Sequence, residues 1–174
     1  MTSINTTIRF KRFNQDRNDF VFNQGLNVVY GESGVGKSSL LDAFQGKRIK
    51  DSLNFELNIN LDPELRIYRI FHNPDHQIIA STVSNEITFS GECKQLDPKQ
   101  LKETLERNLK YLPSHIDPMM NPGYLSGGEK ELLNLVTALD FDPDILLIDD
   151  GLSFLSKENK EHCIRMMEDW IKHS

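Results

Sequence analysis

Residues 31–39 carry the residue types that a phosphate chain needs, at a spacing that lets them act together. The segment reads Gly-Glu-Ser-Gly-Val-Gly-Lys-Ser-Ser. Its three glycines let successive backbone N–H groups turn toward one anion without a side chain in the way. The lysine that follows can contact the β- and γ-phosphates of a nucleotide, and the next hydroxyl is placed to ligate Mg²⁺. This pattern is a P-loop, and it predicts as nucleotide-binding residues Gly31, Glu32, Ser33, Gly34, Val35, Gly36, Lys37, Ser38 and Ser39.

A second set of reactive side chains is the pair of carboxylates at Asp149 and Asp150. They follow four apolar residues at 145–148, and a strand that is apolar on both faces is typical of the interior of a parallel sheet. Standing alone, such a strand is more often structural, but the P-loop upstream reverses those odds. The pair then forms a Walker B motif, in which one carboxylate supports the metal and the next lies beside the attacking water. We therefore predict Ser38 and Asp149 as Mg²⁺ residues and Asp150 as the residue that orients or deprotonates water.

Short apolar runs indicate the elements that position these motifs. Residues 26–30 are predicted as the strand that enters the P-loop, and residues 39–44 have the spacing of the helix that leaves it. Alternating or β-prone runs predict further strands at 6–13, 20–22, 54–60 and 67–71.

The second half of the chain is predicted to be mainly helical. From residue 74 to residue 124 the pattern is that of helices, with Asp97 as an N-cap and Pro98 in the first helical position. Another helix follows residues 125–129, and a last helix is predicted at 157–173, capped by Ser156.

Composition limits the class of protein. The chain has 174 residues and a formal charge of −6, which fits one domain with a sizeable core and argues against a nucleic-acid partner. Cys93 and Cys163 lack the spacing of a zinc site or a disulfide framework, which suits a reducing cytosol. No apolar run approaches the ~20 residues that span a bilayer, so a membrane role is expected to come through a partner.

With the sequence Leu-Ser-Gly-Gly-Glu at 125–129, the chain resembles the ATP-binding subunits of ABC transporters. Their signature reads Leu-Ser-Gly-Gly-Gln, and this chain departs from it at the last residue alone. The resemblance implies a head-to-tail dimer in which the signature of one subunit caps the γ-phosphate held by the other. A helix N-terminus suits that task. The signature residues predicted in this way are Leu125, Ser126, Gly127, Gly128 and Glu129.

A finer resemblance lies in residues 70–77, which read Ile-Phe-His-Asn-Pro-Asp-His-Gln, and in residues 82–89. Both segments look like the Q-loop region of the energy-coupling-factor class of vitamin and metal-ion importers. The resemblance implies that a transmembrane subunit docks on the surface from Asn73 to Phe89 and that the protein lies at the inner face of the cell membrane. It also implies an aromatic residue that stacks on adenine, for which we choose Phe13 over Phe10.

Two departures from the family bear on catalysis. His72 stands where the family has the Q-loop glutamine, and it is a poorer contact for Mg²⁺ and water unless neutral. Asp150 replaces the usual glutamate, and a carboxylate that is withdrawn by about 1 Å can cost ~10²-fold in rate. We therefore predict His72 and Asp150 as catalytic residues of a slow ATPase. A separate metal site at His72 and His76 is disfavoured, because Pro74 between them breaks helical spacing.

Together these features predict an α/β fold of the P-loop NTPase type, with a mostly parallel sheet flanked by helices, antiparallel N-terminal strands and a helical insert. We expect one ABC ATPase domain over residues 1–174, with its core in 1–72 and 130–174 and a helical subdomain at about 73–129. The strand that carries the family's switch histidine, which lies between the two Walker strands, has no counterpart here. We therefore expect either a piece of a longer product or a partner that supplies this strand, with marginal stability in isolation.

Three functions stay open from the sequence. The first is an ATPase subunit of an importer that binds Mg·ATP between two subunits. The second is an ATP-gated binding module that dimerises but hardly hydrolyses, which His72 and Asp150 favour. The third is a DNA-maintenance ATPase head, which residues 25–31 and 40–44 resemble. Heads of that kind separate their half-sites by a long coiled coil, whereas the insert here has about fifty residues without sustained heptads.

Overall fold

The computed structural model describes residues 4–10, 18–47, 55–59 and 61–173. They belong to two compact units, Met1–Ile67 and Tyr68–Ser174. Phe13, the residue predicted to stack on adenine, lies outside the described residues. The first unit contains the elements β1 (Ile4–Phe10), β2 (Asn18–Phe22), α1 (Lys37–Phe44) and β3 (Phe55–Ile59).

The three strands of the first unit form an antiparallel sheet in the order β2-β1-β3. Ile4 lies opposite Phe22 on one side, and Phe10 lies opposite Phe55 on the other. Helix α1 contributes a buried Phe44, whose ring meets the Phe22 ring edge-on at 5.2 Å between centroids. The predictions of strands near 6–13, 20–22 and 54–60, and of a helix after the P-loop, are confirmed for the described parts of those ranges.

The prediction of a strand at residues 26–30 is wrong. The segment has no regular structure, and Val28 and Tyr30 are 81% and 98% exposed. The Asn27 side chain donates to the carbonyl oxygens of Asn23 and Gly25, so a local turn leads into the segment. Strand propensity depends on neighbours to pack against, and none of the described strands pairs with this segment.

The second unit contains two strands and four α-helices among its described residues. In chain order these are β4 (Ile67–Ile70), which begins at the boundary, α2 (Val83–Cys93), α3 (Pro98–Leu109), α4 (Gly127–Asp140), β5 (Ile145–Ile148) and α5 (Lys157–His173). Strands β4 and β5 pair with each other. The backbone N–H of Asp149 donates to Ile70 O at 3.0 Å, so the carboxyl ends of both strands meet and the strands run parallel.

Capping residues set the starts of three helices, and the predicted caps Asp97 and Ser156 are confirmed. Asp97 begins α3 in a capping box with Gln100, and Ser126 begins α4 in a capping box with Glu129. Ser156 accepts from Asn159 N at the start of α5. Each box satisfies backbone donors that the first helical turn leaves unpaired.

Helix α4 runs through the core of the second unit, with eight consecutive buried residues from Glu131 to Ala138. It packs against α2 and α5, and α2 also packs against α3. Cys163 of α5 is fully buried, and burial, with a smaller effect of Glu131, raises the pKa of its thiol to about 11. This cysteine is therefore a neutral core residue rather than a nucleophile.

Candidate functional site

The P-loop of the first unit has the backbone of an anion-binding turn. Gly34 and Gly36 have φ angles of +83° and +101°, which side-chain-bearing residues rarely adopt. Gly36 is the N-cap of α1, and its carbonyl accepts from Leu40 N at 2.9 Å. The N-terminus of α1 therefore lies directly after the loop, where its partial positive charge favours a bound anion.

Lys37 is folded back over this loop. Its Nζ donates to Gly31 O and Glu32 O, each at 2.8 Å. Both acceptors are neutral carbonyls, so these two bonds bring no negative charge to the Lys37 ammonium. A phosphate oxygen offers it a stronger, charge-assisted bond, which is what the predicted role of Lys37 requires.

In the second unit, the Walker B carboxylate of Asp149 is bonded to an arginine that the sequence analysis missed. Arg69 Nη2 donates to Asp149 Oδ2 at 2.6 Å, and the two side chains are 5% and 19% exposed. The guanidinium also lies 5.2 Å from the centroid of the Phe71 ring. The available signal was a charged residue inside the otherwise apolar run of β4, but nothing in the sequence identified its partner.

The residues present fit a Mg²⁺ ion that is held together with a nucleotide. A carboxylate has two oxygens with four acceptor positions, so the bond from Arg69 to one oxygen of Asp149 leaves capacity for a metal-bound water. Among the described residues, no three His, Cys, Asp or Glu side chains cluster as metal ligands. Mg²⁺ is usually bound by one or two protein groups together with phosphate and water ligands.

The structure brings the two predicted catalytic residues together. His72 Nδ1 lies 3.8 Å from Asp150 Oδ2, and both side chains are exposed. Asp150 has a φ angle of +56°, a left-handed conformation that Asp tolerates better than most residues. Gln77, which the sequence analysis did not single out, accepts from Phe71 N and donates to Arg69 O. It therefore fixes the chain just before His72.

The signature segment forms the start of α4. Glu129 Oε2 accepts from the backbone N–H and the hydroxyl of Ser126, each at 2.7 Å. These bonds, with a smaller effect of His115, hold the pKa of Glu129 below its ordinary value despite partial burial. A side chain at Gly128 would meet Phe154 O at 3.1 Å. The glycine is therefore needed where the loop after β5 passes the helix start.

That loop is fixed by Glu131, another residue that the sequence analysis missed. The Glu131 carboxylate is 1% exposed and accepts from the backbone N–H groups of Ser153 and Phe154. A buried acid on α4 thus holds the segment from Ser153 to Ser156 against the signature. The sequence offered a weak signal, an acid at a position inside the apolar face of a helix.

The surface predicted to receive a membrane partner has an ordered backbone and an apolar residue that faces solvent. Glu86, which is buried in α2, accepts from Ile79 N and Ala80 N at 3.0 and 2.7 Å. Asn134 donates to Pro74 O at 2.9 Å. Ile79 itself is 65% exposed. These contacts hold the loop before α2 with an isoleucine outward.

The helices bear on two alternatives from the sequence: the long coiled coil of a DNA-maintenance head and a membrane-spanning helix. The helices α2 and α3 have 11 and 12 residues and pack against each other, so the described insert holds no long coiled coil of the kind that a DNA-maintenance head requires. Within the described part of the chain, no helix is both long and apolar enough to cross a bilayer.

Residues 17–153 match the model of the family described as ABC transporter. The chain is 32% identical over 157 residues to the energy-coupling factor transporter ATP-binding protein EcfA1 of Mycoplasma capricolum subsp. capricolum, covering 85% of this chain and 38% of that protein. It is 28% identical over 178 residues to the EcfA1 of Streptococcus thermophilus, covering 93% and 64%. The chain thus spans less than two thirds of the length of either relative.

Two solved structures share the fold. The ATP-binding protein of an ABC transporter from Pyrococcus furiosus superposes with a TM-score of 0.67 at 16% identity, covering 99% of this chain and 87% of that one. An inward-facing metal-chelate type ABC transporter gives 0.62 at 19% identity, covering 97% and 68%. At these identities the likeness concerns the fold alone, and it confirms the predicted α/β class.

Proposed function

The chain belongs to the ABC transporter family, and from this membership we propose that it is the ATP-binding subunit of an importer of the energy-coupling-factor class. In this role it binds Mg·ATP between two subunits arranged head to tail, and their closure moves a membrane partner. The family match over residues 17–153 and the EcfA1 relatives support the class. The activity, the second subunit and the membrane partner are parts of the proposal.

The geometry of the P-loop is the observation that carries nucleotide binding. Gly34 and Gly36 adopt left-handed backbone angles directly before the N-terminus of α1. Lys37 already reaches across the loop to the carbonyls of Gly31 and Glu32. In the proposed complex the ammonium moves to the β- and γ-phosphates, and the loop N–H groups and Ser39 surround the phosphate chain.

A Mg²⁺ ion bound with the nucleotide would be held by the Ser38 hydroxyl and, through water, by Asp149. It would neutralise charge on the phosphate oxygens. The other groups act beside it: Ser126, Gly127 and Gly128 of one subunit offer the start of α4 to the γ-phosphate on the other.

The residues Asp150 and His72, at the proposed site of hydrolysis, favour a second candidate function. Asp150 has a shorter side chain than the glutamate that is usual in the family. Its φ angle of +56° sets the direction in which the carboxylate leaves the backbone. His72, at 3.8 Å, is placed to orient the carboxylate or the water beside it. A hydrolysis-deficient module that dimerises on ATP is therefore the alternative, and single-turnover hydrolysis in the presence of Mg²⁺ separates the two.

The membrane partner is proposed to dock from Asn73 to Phe89. The EcfA1 relatives support this proposal, and the loop that Glu86 fixes presents the exposed Ile79 within this surface. The protein would then lie at the inner face of the cell membrane without a span of its own among the described helices.

Replacing Lys37 by alanine is expected to weaken Mg·ATP binding by about 10- to 100-fold, because one charge-assisted contact contributes about 1.5–3 kcal/mol. Titration calorimetry of parent and variant measures the change. The matched control is Lys47→Ala, since the Lys47 side chain is exposed and pairs with Asp42 at 3.8 Å, and this change should leave affinity unchanged. Equal affinities of the parent and Lys37→Ala would remove the phosphate-binding role.

A further inference from the structure

The signature of this chain ends in a carboxylate where an amide is usual, and that carboxylate has two partners. Glu129 Oε2 accepts from the N–H and the hydroxyl of Ser126, and Oε1 lies 2.7 Å from His115 Nε2. The Glu129 side chain is 20% exposed, whereas that of His115 is 69% exposed. A negative charge therefore lies directly at the start of α4.

This charge conflicts with the proposed task of the signature. A carboxylate beside Ser126 repels a phosphate that approaches the same helix start, because like charges at contact distance disfavour each other. The Ser126 hydroxyl also donates its hydrogen bond to Glu129. A phosphate oxygen would therefore meet the lone pairs of Ser126 Oγ instead of its hydrogen. A cation next to the carboxylate removes the first difficulty and weakens the hold of Glu129 on the hydroxyl.

His115 is placed to be that cation. It lies between two buried residues, Leu112 and Ile116, and the turn around it is closed by a bond from Ile116 N to Pro113 O. The loop is therefore anchored on both sides while the imidazole stays in solvent.

The surroundings of the pair form a cavity of about 480 Å³ in which His115 and Glu129 are the titratable side chains that line the wall. The other lining residues are Pro113, Ser126, Gly127, Gly128, Phe154, Ser156 and Asn159. Helix α5 thus contributes a neutral side chain, and the nearby Lys130 of α4 is bonded to Asp75 at 2.6 Å, away from the pair. An imidazolium at position 115 is the cation that this cavity can offer to an anion.

We propose that His115 is a phosphate-receiving residue of the signature face: as an imidazolium it offsets Glu129 and lets this face accept the γ-phosphate of ATP held by a second copy of the chain. The inference rests on the proposed function. The offset needs a protonated imidazole, so the inference predicts that ATP-driven association is tighter at about pH 6 than at about pH 8.

The test compares the parent with His115→Gln, Glu129→Gln and the double variant. Each is first shown to be folded by thermal unfolding and to bind a non-hydrolysable ATP analogue with Mg²⁺ by calorimetry. Sedimentation equilibrium then gives the dimer dissociation constant at about pH 6 and about pH 8. His162→Gln, a histidine of α5 that stacks near Tyr111, is the matched control. The double variant lacks both titratable side chains of the cavity, so any change of its dimer dissociation constant with pH comes from the nucleotide.

At the lower pH, His115→Gln is expected to weaken association about tenfold, the equivalent of one charge-assisted bond, and to remove the pH response. Removing His115 should cost less in the Glu129→Gln background than in the parent, because the amide leaves no negative charge to offset. Equal dissociation constants for the parent and His115→Gln at both pH values would overturn the inference. A parent that binds the analogue but stays monomeric would overturn the proposed pairing of two copies instead. Should His115→Gln fail to fold, a pH response that is the same in the parent and in Glu129→Gln would overturn the inference.

Discussion

Replacing Arg69 by methionine is expected to lower the free energy of unfolding by about 3–5 kcal/mol, because it leaves the Asp149 carboxylate largely buried without its cation. The pair is bonded at 2.6 Å between Arg69 of β4 and Asp149, which directly follows β5. Breaking a buried pair on one side costs far more than the pair itself contributes, since the remaining charge has lost its solvation. Urea unfolding of parent and variant measures the difference.

Two further variants separate this cause from lost packing. The double change Arg69→Met with Asp149→Asn should recover much of the loss, because no charge is then left buried. Arg107→Met should cost under about 1 kcal/mol, since the Arg107 guanidinium is exposed and its partner Asp140 also accepts from Asn108. A loss below about 1 kcal/mol for Arg69→Met would mean that Asp149 is solvated well enough without it.

Replacing Asp150 by glutamate is expected to raise ATP turnover by up to ~10²-fold, because the added methylene returns the carboxylate to the reach that the family uses. The structure adds an opposing effect. Asp150 has a φ angle of +56°, and Asp tolerates this conformation better than Glu does. We therefore expect the variant to be faster in single-turnover hydrolysis and slightly less stable in thermal unfolding.

Asp150→Asn is the control, since it keeps the shape and removes the basic oxygen, and its turnover should fall below that of the parent. Adding His72→Gln to Asp150→Glu restores both family residues and should give the fastest enzyme of the set. A flat rate across the parent, Asp150→Glu and this double variant would show that side-chain reach does not limit hydrolysis. The chain would then be assigned to the ATP-gated binding modules.

The local parts of the fold could be predicted because their causes lie in adjacent residues. The cap at Asp97 and the apolar run of β5 act over a few positions, and the structure has a helix start and a strand there as expected. Residues 26–30 show where this reasoning stops. Their composition is β-prone, but a strand forms only beside a neighbouring strand, and none of the described strands pairs with this segment.

The motifs of the site could be predicted from the sequence, but the contacts between residues far apart in the chain could not. The P-loop and signature are short segments whose backbone geometry follows from their own residues. Arg69 and Asp149 are 80 positions apart, and Glu131 reaches Phe154 across 23 positions. Only the pairing of β4 with β5 and the docking of the loop after β5 on α4 bring these side chains together. His115 was missed for the same reason.

The central claim is that two copies of this chain share ATP head to tail, with the P-loop of one facing the signature of the other. Mixing two defective variants tests it most directly: Lys37→Ala disables the P-loop, and Ser126→Arg blocks the signature. Head-to-tail pairing predicts that neither variant associates alone with Mg²⁺ and the ATP analogue in sedimentation equilibrium. Their mixture should form dimers, because one of its two sites then combines an intact P-loop with an intact signature. A mixture that stays monomeric while the parent dimerises, or a variant that dimerises alone as the parent does, would contradict the claim.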